Sequence, residues 1–529
     1  MNTSESPKLV DTGRGFCVSY LCRELYDSND PIGRSVIRAH AIPLLENTLY
    51  LLASPLLGYG LDVLFKKLPV SSKIITIECD AALAMLSLKN SVPVHAFDST
   101  ESIITIASFI FEQLSYSERR NLKYVKGLSL NGGRTLHANI YQQLENGVLQ
   151  SIRLWWRNRA TIQVLGRRWL RNILSNLSTL PFNNVLPEQL PGSSPTRPLL
   201  VCGAGPSLEY LFSSTIVIQD HCTVLAVDTA LPALQAIGLI PDYVVALEAQ
   251  WHNLSDFTGR LTPRTTVLAD LSSHSPTLRK LASETTLLCF SSLFEKLNFW
   301  EWLKKNTGIP LVPAMGSVGV LALWIAITHW NGPVYLSGLD FQEKTAATHA
   351  KATPMHLYGL SHWSKHNPHH WLKRGFSTQK TEVLEGYANL ARSCAVLGKG
   401  RVFDIRQTGL DLGVPKLEIP AFLGKIREAN NECTLPQNLP NSTFNSGAAT
   451  LISQLSALLE NISLLCDSVL SGKTTPKPET YEQLHQLMEK ADIAWIDFPD
   501  PTWPPIQLEA ILRVQIRCQE LRSILVGSL

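Results

Sequence analysis

The chain has 529 residues, 45% of them hydrophobic and 17% charged, and a formal net charge of +3. That balance excludes a disordered or fibrous protein and gives no bulk electrostatic case for nucleic-acid binding. At roughly 150 residues per domain the length predicts two or three cores.

Residues 1–14 are polar and lack the basic-then-apolar pattern of an export signal, so no export is expected. From Val18 to about Asn183 the pattern alternates. An extended piece at 47–53, a helix at 60–68, a strand at 73–78 and a helix from Asp80 give the βαβ rhythm of a small domain. Helices across 102–114 and 141–176 complete it. Arginines between Arg153 and Arg171 alternate with Trp155, Trp156 and Trp169, as on an amphipathic helix with solvated guanidinium heads.

Residues 184–198 carry prolines at 187, 191, 195 and 198 and read as a linker. Strand patterns follow at 198–203, 223–228, 243–248, 265–268, 286–290, 311–313, 334–337 and 401–405. Helix-length intervals between them predict an α/β fold with a doubly wound, mainly parallel Rossmann-like sheet. A polar break at 434–445 precedes helical patterns at 448–470, 478–490 and 505–526. The expected organisation is an N-terminal α/β domain (1–183), a linker (184–198), a nucleotide-binding domain (199–425) and a C-terminal helical region (426–529).

The first chemical signal is a strand ending in Gly203-Ala204-Gly205-Pro206-Ser207-Leu208, with a helix expected next. Glycines permit close backbone approach, and the N–H groups at a helix start suit an anionic phosphate. A plain strand-to-helix turn explains the spacing equally well. Asp228, about 20 residues on, stands where such folds bind ribose hydroxyls, and it is also a good N-cap. Glu248 is expected at the carboxyl end of the next strand, facing the same crevice, while Asp242 serves the turn before that strand. Gly316 and Ser317 open an apolar helix, a second anion-binding start or a simple serine cap. Asp340 closes the strand that follows.

Past Asp340 come His349, His356, His362, His366, His369 and His370. Imidazole is the usual general base, and loops after strands carry function. No HExxH or comparable spacing appears, so zinc is not expected. The cysteines form no CxxC pair and several lie in apolar runs, as buried free thiols in a reducing cytoplasm do. The longest unbroken apolar run, 318–327, is too short to cross a bilayer, which needs about 20 apolar residues.

Taken in order, Gly203-Ala204-Gly205-Pro206-Ser207-Leu208, Asp228, Pro241-Asp242-Tyr243, Gly316-Ser317-Val318 and Gly338-Leu339-Asp340-Phe341 resemble the core of the motility-associated factor (Maf) glycosyltransferases. That group includes a domain like the archaeal 6-hydroxymethylpterin diphosphokinase (MptE-like). The Tyr335-Leu336-Ser337-Gly338-Leu339-Asp340-Phe341 strand also resembles that of small bacterial sialyltransferases using CMP-sialic acid. Those enzymes carry Asn where this chain has Ala204, and their base histidine has no unambiguous counterpart here.

The resemblance spans about residues 199–413. It implies transfer of a nonulosonic, sialic-acid-like sugar from a CMP donor to Ser or Thr of flagellin. Donor contacts would come from Gly203, Gly205, Pro206, Ser207, Asp228, Glu248, Gly316, Ser317 and Asp340. His349, within Thr348-His349-Ala350-Lys351, is the first choice of base, with His362 and His366 open. No metal cofactor is required by that scheme. A diphosphokinase passing pyrophosphate from ATP, which needs Mg2+, and a non-catalytic flagellin-binding protein are the alternatives.

Overall fold

Strands buried on both faces read as unbroken apolar runs, and such runs form most strands of the largest sheet of this protein. The computed structural model describes residues 6–98, 102–180, 184–293, 297–342, 349–361, 382–429, 444–471, 478–492 and 508–526. The chain divides into two compact units, Met1–Thr161 and Ile162–Leu529. The division falls inside one 42-residue helix, Ala138–Thr179.

In the first unit, β1 (Lys8–Asp11), β2 (Phe16–Tyr20) and β3 (Arg23–Glu24) form an antiparallel meander. The sequence reading began at Val18 and did not find it, because β1 is exposed throughout and carries no burial pattern. A second sheet joins β4 (Thr48–Ala53), β5 (Lys73–Glu78), β6 (His95–Ala96) and β7 (Tyr124–Leu128) in the order β6-β5-β4-β7, all parallel. Every residue of β4 is buried.

The second unit is built on one eight-stranded sheet in the order β13-β12-β11-β10-β9-β8-β14-β15. Its strands are β8 (Leu199–Cys202), β9 (Thr223–Val227), β10 (Tyr243–Ala246), β11 (Thr266–Asp270), β12 (Thr286–Leu293), β13 (Leu311–Pro313), β14 (Val334–Ser337) and β15 (Val402–Asp404). All pairings are parallel. Strand order reverses between β8 and β14, so their carboxyl ends frame the switch-point crevice of an open α/β sheet. Asp242 closes the other end, its Oδ2 accepting from Val224 N at 2.8 Å.

Residues 184–198 are not a free linker. Val185 bridges Cys289, Leu186 and Leu190 are buried, and Trp330 Nε1 donates to the Arg197 carbonyl at 2.9 Å. Prolines there prevent regular structure without preventing packing. The C-terminal helices also belong to the second unit. Gly447 lets helix Phe444–Leu470 approach the Asn306 backbone so closely that any Cβ would collide with its carbonyl.

By length and composition, Gly447–Leu470 is the one helix among the described residues able to cross a membrane. Here its Leu451, Leu455, Leu459 and Ile462 are buried, and it packs on helices Pro478–Lys490 and Leu508–Val526. The described cysteines are all unpaired as disulfides, and all but Cys22 are buried; Cys433 lies outside the described residues.

Candidate functional site

The turn after β8 meets the turn after β14 backbone to backbone. Gly203 N donates to the Ser337 carbonyl at 2.8 Å and Gly205 N to the Gly338 carbonyl at 2.7 Å. A Cβ on Gly203 would strike the Gly338 carbonyl, and one on Gly338 would strike that of Gly203. These glycines are required by the approach of the two turns.

Ser207 and Asp340 complete the junction. Ser207 N donates to Asp340 Oδ2 at 2.8 Å, Ser207 Oγ donates to Asp340 Oδ1, and Gly338 N donates to Ser207 Oγ at 2.9 Å. Both residues are buried, and burial pushes the Asp340 carboxyl up. The expected phosphate cradle includes Gly203, Gly205, Ser207 and Asp340. The N–H groups of Gly203, Gly205 and Ser207 and the side chains of Ser207 and Asp340 are engaged within the protein. The helix after the turn, opened by Pro206, is a 3₁₀ helix, Pro206–Ser214.

A helix start that remains open is that of Val318–Thr328. Gly316 adopts φ +66°, a turn that a side chain would strain. Ser317 is the N-cap, half-buried, and its side chain makes no capping hydrogen bond. First-turn N–H groups of a helix lack intrahelical partners and carry partial positive charge. Leu339 Cδ2 would lie 2.7 Å from a Cβ on either Gly203 or Gly319, which places this helix start beside the glycine turn. The helix Glu382–Leu397 brings Tyr387 next to Gly316, 3.3 Å from where its Cβ would be.

Acidic groups gather at the ends of β9 and β10. Asp228 is buried; its Oδ1 accepts from Thr229 N at 2.7 Å and its Oδ2 from Asn253 Nδ2 at 2.7 Å. Burial raises its carboxyl to about 6 against those hydrogen bonds. Asp256 is pushed to about 7 by burial and then by the charge of Asp228. Glu248 is exposed in the loop past β10, which ends at Ala246, and its Oε1 accepts from Gln250 N at 3.0 Å. The sequence reading found Asp228 and Glu248 and missed Asn253 and Asp256, whose burial comes only from the turn that folds back onto Asp228.

The same holds for Asn172 and Asn176, spaced one helical turn apart. Asn172 Nδ2 donates to the carbonyls of Ala249 (3.1 Å) and Ser272 (2.8 Å), and Asn176 Nδ2 to those of Leu271 (2.8 Å) and Ser273 (2.9 Å). They fix the loops after β10 and β11. Their i, i+4 spacing was the available signal.

His349 enters on a turn fastened to the glycine loop. Ala350 N donates to the Ala204 carbonyl at 2.8 Å, Lys351 N donates to Glu209 Oε1 at 2.9 Å, and the Lys351 ammonium lies 3.4 Å from Glu209 Oε2. Burial, then the charge of His356, lowers the His349 pKa and favours the neutral imidazole that a base requires. Cavities of about 270 Å³ and 320 Å³ flank the 3₁₀ helix Pro206–Ser214; Ala350 and Phe212 line the first, Tyr210 and Thr408 the second. The first is also lined by Ala233 and Ala236, from the helix that follows Asp228. His362 and His366 lie outside the described residues. Among the described residues no group of three or more His, Cys, Asp or Glu side chains is placed to hold a metal ion.

Residues 167–346 match the family model described as 6-hydroxymethylpterin diphosphokinase MptE-like. The second unit carries an MptE-like domain. This domain contains the glycine turn, the acidic group and the Ser317 helix start. Two uncharacterized proteins of Treponema pallidum (strain Nichols) are similar to the chain. One is 31% identical over 357 residues, covering 66% of this chain and 61% of the relative. The other is 33% identical over 92 residues, covering 17% of this chain and 42% of the relative. The chain thus spans less than two thirds of the length of either. A solved Maf glycosyltransferase from Magnetospirillum magneticum AMB-1 aligns with a TM-score of 0.51 at 12% identity, over 99% of this chain and 87% of that one. At that identity the likeness is one of fold, and it runs through both units beyond the MptE-like domain.

Proposed function

We propose that the chain is a glycosyltransferase that moves a nonulosonic sugar from a CMP donor to a Ser or Thr hydroxyl of flagellin. The observation that carries this reading is that the uncapped Ser317 helix start and the His349 turn both border one glycine loop. Helix N–H groups and the Ser317 hydroxyl bind the donor phosphate and stabilise the negative charge that develops as CMP departs. Asp228 and Glu248 orient donor hydroxyls. His349 accepts the proton of the acceptor hydroxyl while its oxygen bonds to the anomeric carbon. The bond from that carbon to the phosphate oxygen breaks, and CMP leaves with the electron pair. The fold shared with a Maf glycosyltransferase supports the reading.

The test is to incubate the full chain with a CMP-activated nonulosonic acid and purified flagellin and to follow flagellin mass. A stepwise gain of one sugar mass is expected, lost in Ser317→Ala and His349→Ala. An unchanged flagellin mass, or undiminished transfer by both variants, overturns it.

The description of the matching family model favours a second reading, pyrophosphoryl transfer from ATP to a pterin alcohol. That chemistry needs Mg2+. The described carboxylates do not converge on a metal position, so no step is routed through one. Mg2+-dependent conversion of ATP to AMP with 6-hydroxymethylpterin would establish it in place of glycosyl transfer. Flagellin binding without CMP or ATP binding would instead support a non-catalytic flagellin-binding protein.

A further inference from the structure

Past Asp228 the sheet continues to β10, whose following loop carries groups that phosphate binding and proton transfer leave unused. Trp251 is 67% exposed, and its ring lies against that of His252, tilted by 41° with centroids 4.2 Å apart. The indole stands on an anchored turn. It opens the 3₁₀ turn Trp251–Asn253, where Asn253 is buried against Asp228. Just before it, the Ala249 carbonyl is held by Asn172.

Asp256 supplies an independent sign of a ligand. The residue is 8% exposed, and its Oδ1 is enclosed without a hydrogen-bond partner among the described residues. Beyond burial, the charge of Asp228 pushes its pKa up, that of Arg260 pulls it down, and that of Glu248 pushes it up. A buried oxygen left unpaired is costly, and a ligand hydroxyl would relieve it.

Sheet geometry orders these features. In an open parallel sheet a nucleotide runs outward from the switch point, with its phosphate by the first strand and its ribose at the acid ending the next. Parallel neighbours lie about 4.8 Å apart, so one further strand brings the base over the loop after β10. That loop is where Trp251 stands.

We propose that Trp251 is the stacking platform for the nucleobase of the donor, and that Asp256 joins Asp228 in holding its ribose hydroxyls. The inference rests on the nucleotide-donor reading above and assigns that donor a nucleoside subsite. Any base offers a π face to an indole, so the platform sets affinity while hydroxyl contacts distinguish a ribose. A carboxyl as readily protonated as Asp256 both donates to and accepts from a diol.

The experiment is calorimetric titration of the full chain with CMP and, separately, with cytidine, which lacks the phosphate. Trp251→Ala is expected to weaken both about tenfold, and Trp251→Phe to recover most of the loss. Asp256→Asn, which keeps the side-chain shape, should weaken both, whereas Ser317→Ala should weaken CMP alone. Wild-type affinity in Trp251→Ala, or equal losses in the Phe and Ala variants, overturns the platform. Wild-type affinity in Asp256→Asn overturns its ribose contact. If the intact chain binds neither CMP nor ATP, the donor reading itself falls, which separates that failure from failure of the subsite. If it binds ATP alone, the same variants titrated with ATP and adenosine decide the platform by the same criteria.

Discussion

Ser207 and Asp340, 133 residues apart, are joined through both oxygens of one buried carboxylate, Oδ2 at 2.8 Å from Ser207 N and Oδ1 bonded to the Ser207 hydroxyl. Ser207→Ala would leave the Gly338 N–H and Asp340 Oδ1 enclosed without those partners. The expected cost is about 1–3 kcal/mol, read as a lower midpoint of urea unfolding for the second unit. An unchanged midpoint would show that the junction is not a structural clasp.

Gly338 and Gly400 both have positive φ, +68° and +80°, but Gly400 has nothing within 4 Å of a Cβ, whereas Gly338 faces the Gly203 backbone. Gly400→Ala therefore costs only the conformational strain, about 1–2 kcal/mol. Gly338→Ala adds a backbone collision and should cost clearly more. Comparing their thermal midpoints checks this; equal losses would contradict the close approach.

Arg406 forms a buried two-pronged pair with Asp404, Nε to Oδ1 at 2.8 Å and Nη2 to Oδ2 at 2.9 Å, and also donates to the Leu339 and Leu410 carbonyls. Arg406→Met leaves a buried carboxylate uncompensated and should cost about 3–5 kcal/mol. Replacing Asp404 by Leu in the same chain should recover part of that loss, as measured by denaturant unfolding.

Asp228 and Asp256 have folded-state pKa values raised to about 6 and about 7. Both therefore hold protons in the folded state that the unfolded chain releases near pH 4. Their stabilising contribution is complete below that pH and is lost as pH rises through about 6 to 7. Asp256→Asn removes one such proton site, so the decline in thermal midpoint between pH 4 and 7 should flatten. An unaltered slope would deny that Asp256 is protonated in the folded protein.

His349→Asn should reduce sugar transfer by about 10²–10⁴-fold, the usual range for a lost general base. CMP affinity should stay near that of the intact chain, because in the proposed reaction the imidazole takes its proton from the acceptor and not from the donor. Parallel losses of binding and turnover would make His349 a donor contact instead.

The strands of the large sheet were legible because parallel strands are apolar on both faces: Leu199–Cys202 and Val334–Ser337 are wholly buried. Other features misled for definite reasons. Gly203 and Gly205 carry the spacing of a phosphate loop, yet their N–H groups bond to the turn after β14. The prolines of 184–198 suggested a tether, but Leu186 and Leu190 anchor that segment in the core. Trp251 and Asp256 have no short-range signature at all.

What the sequence determined by itself was the alternation of strands and helices, and the residue types gathered at strand ends: Asp228, Ser317, Asp340 and His349. Local periodicity and turn chemistry encode such features within a few residues. Only the tertiary structure decided which of them are available. Asp340 is closed by Ser207 from 133 positions away, while the Ser317 side chain makes no cap and stays half-exposed beside the same turn. Whether a polar group is engaged or open depends on what the sheet order brings against it, and strand order is set by packing between distant segments.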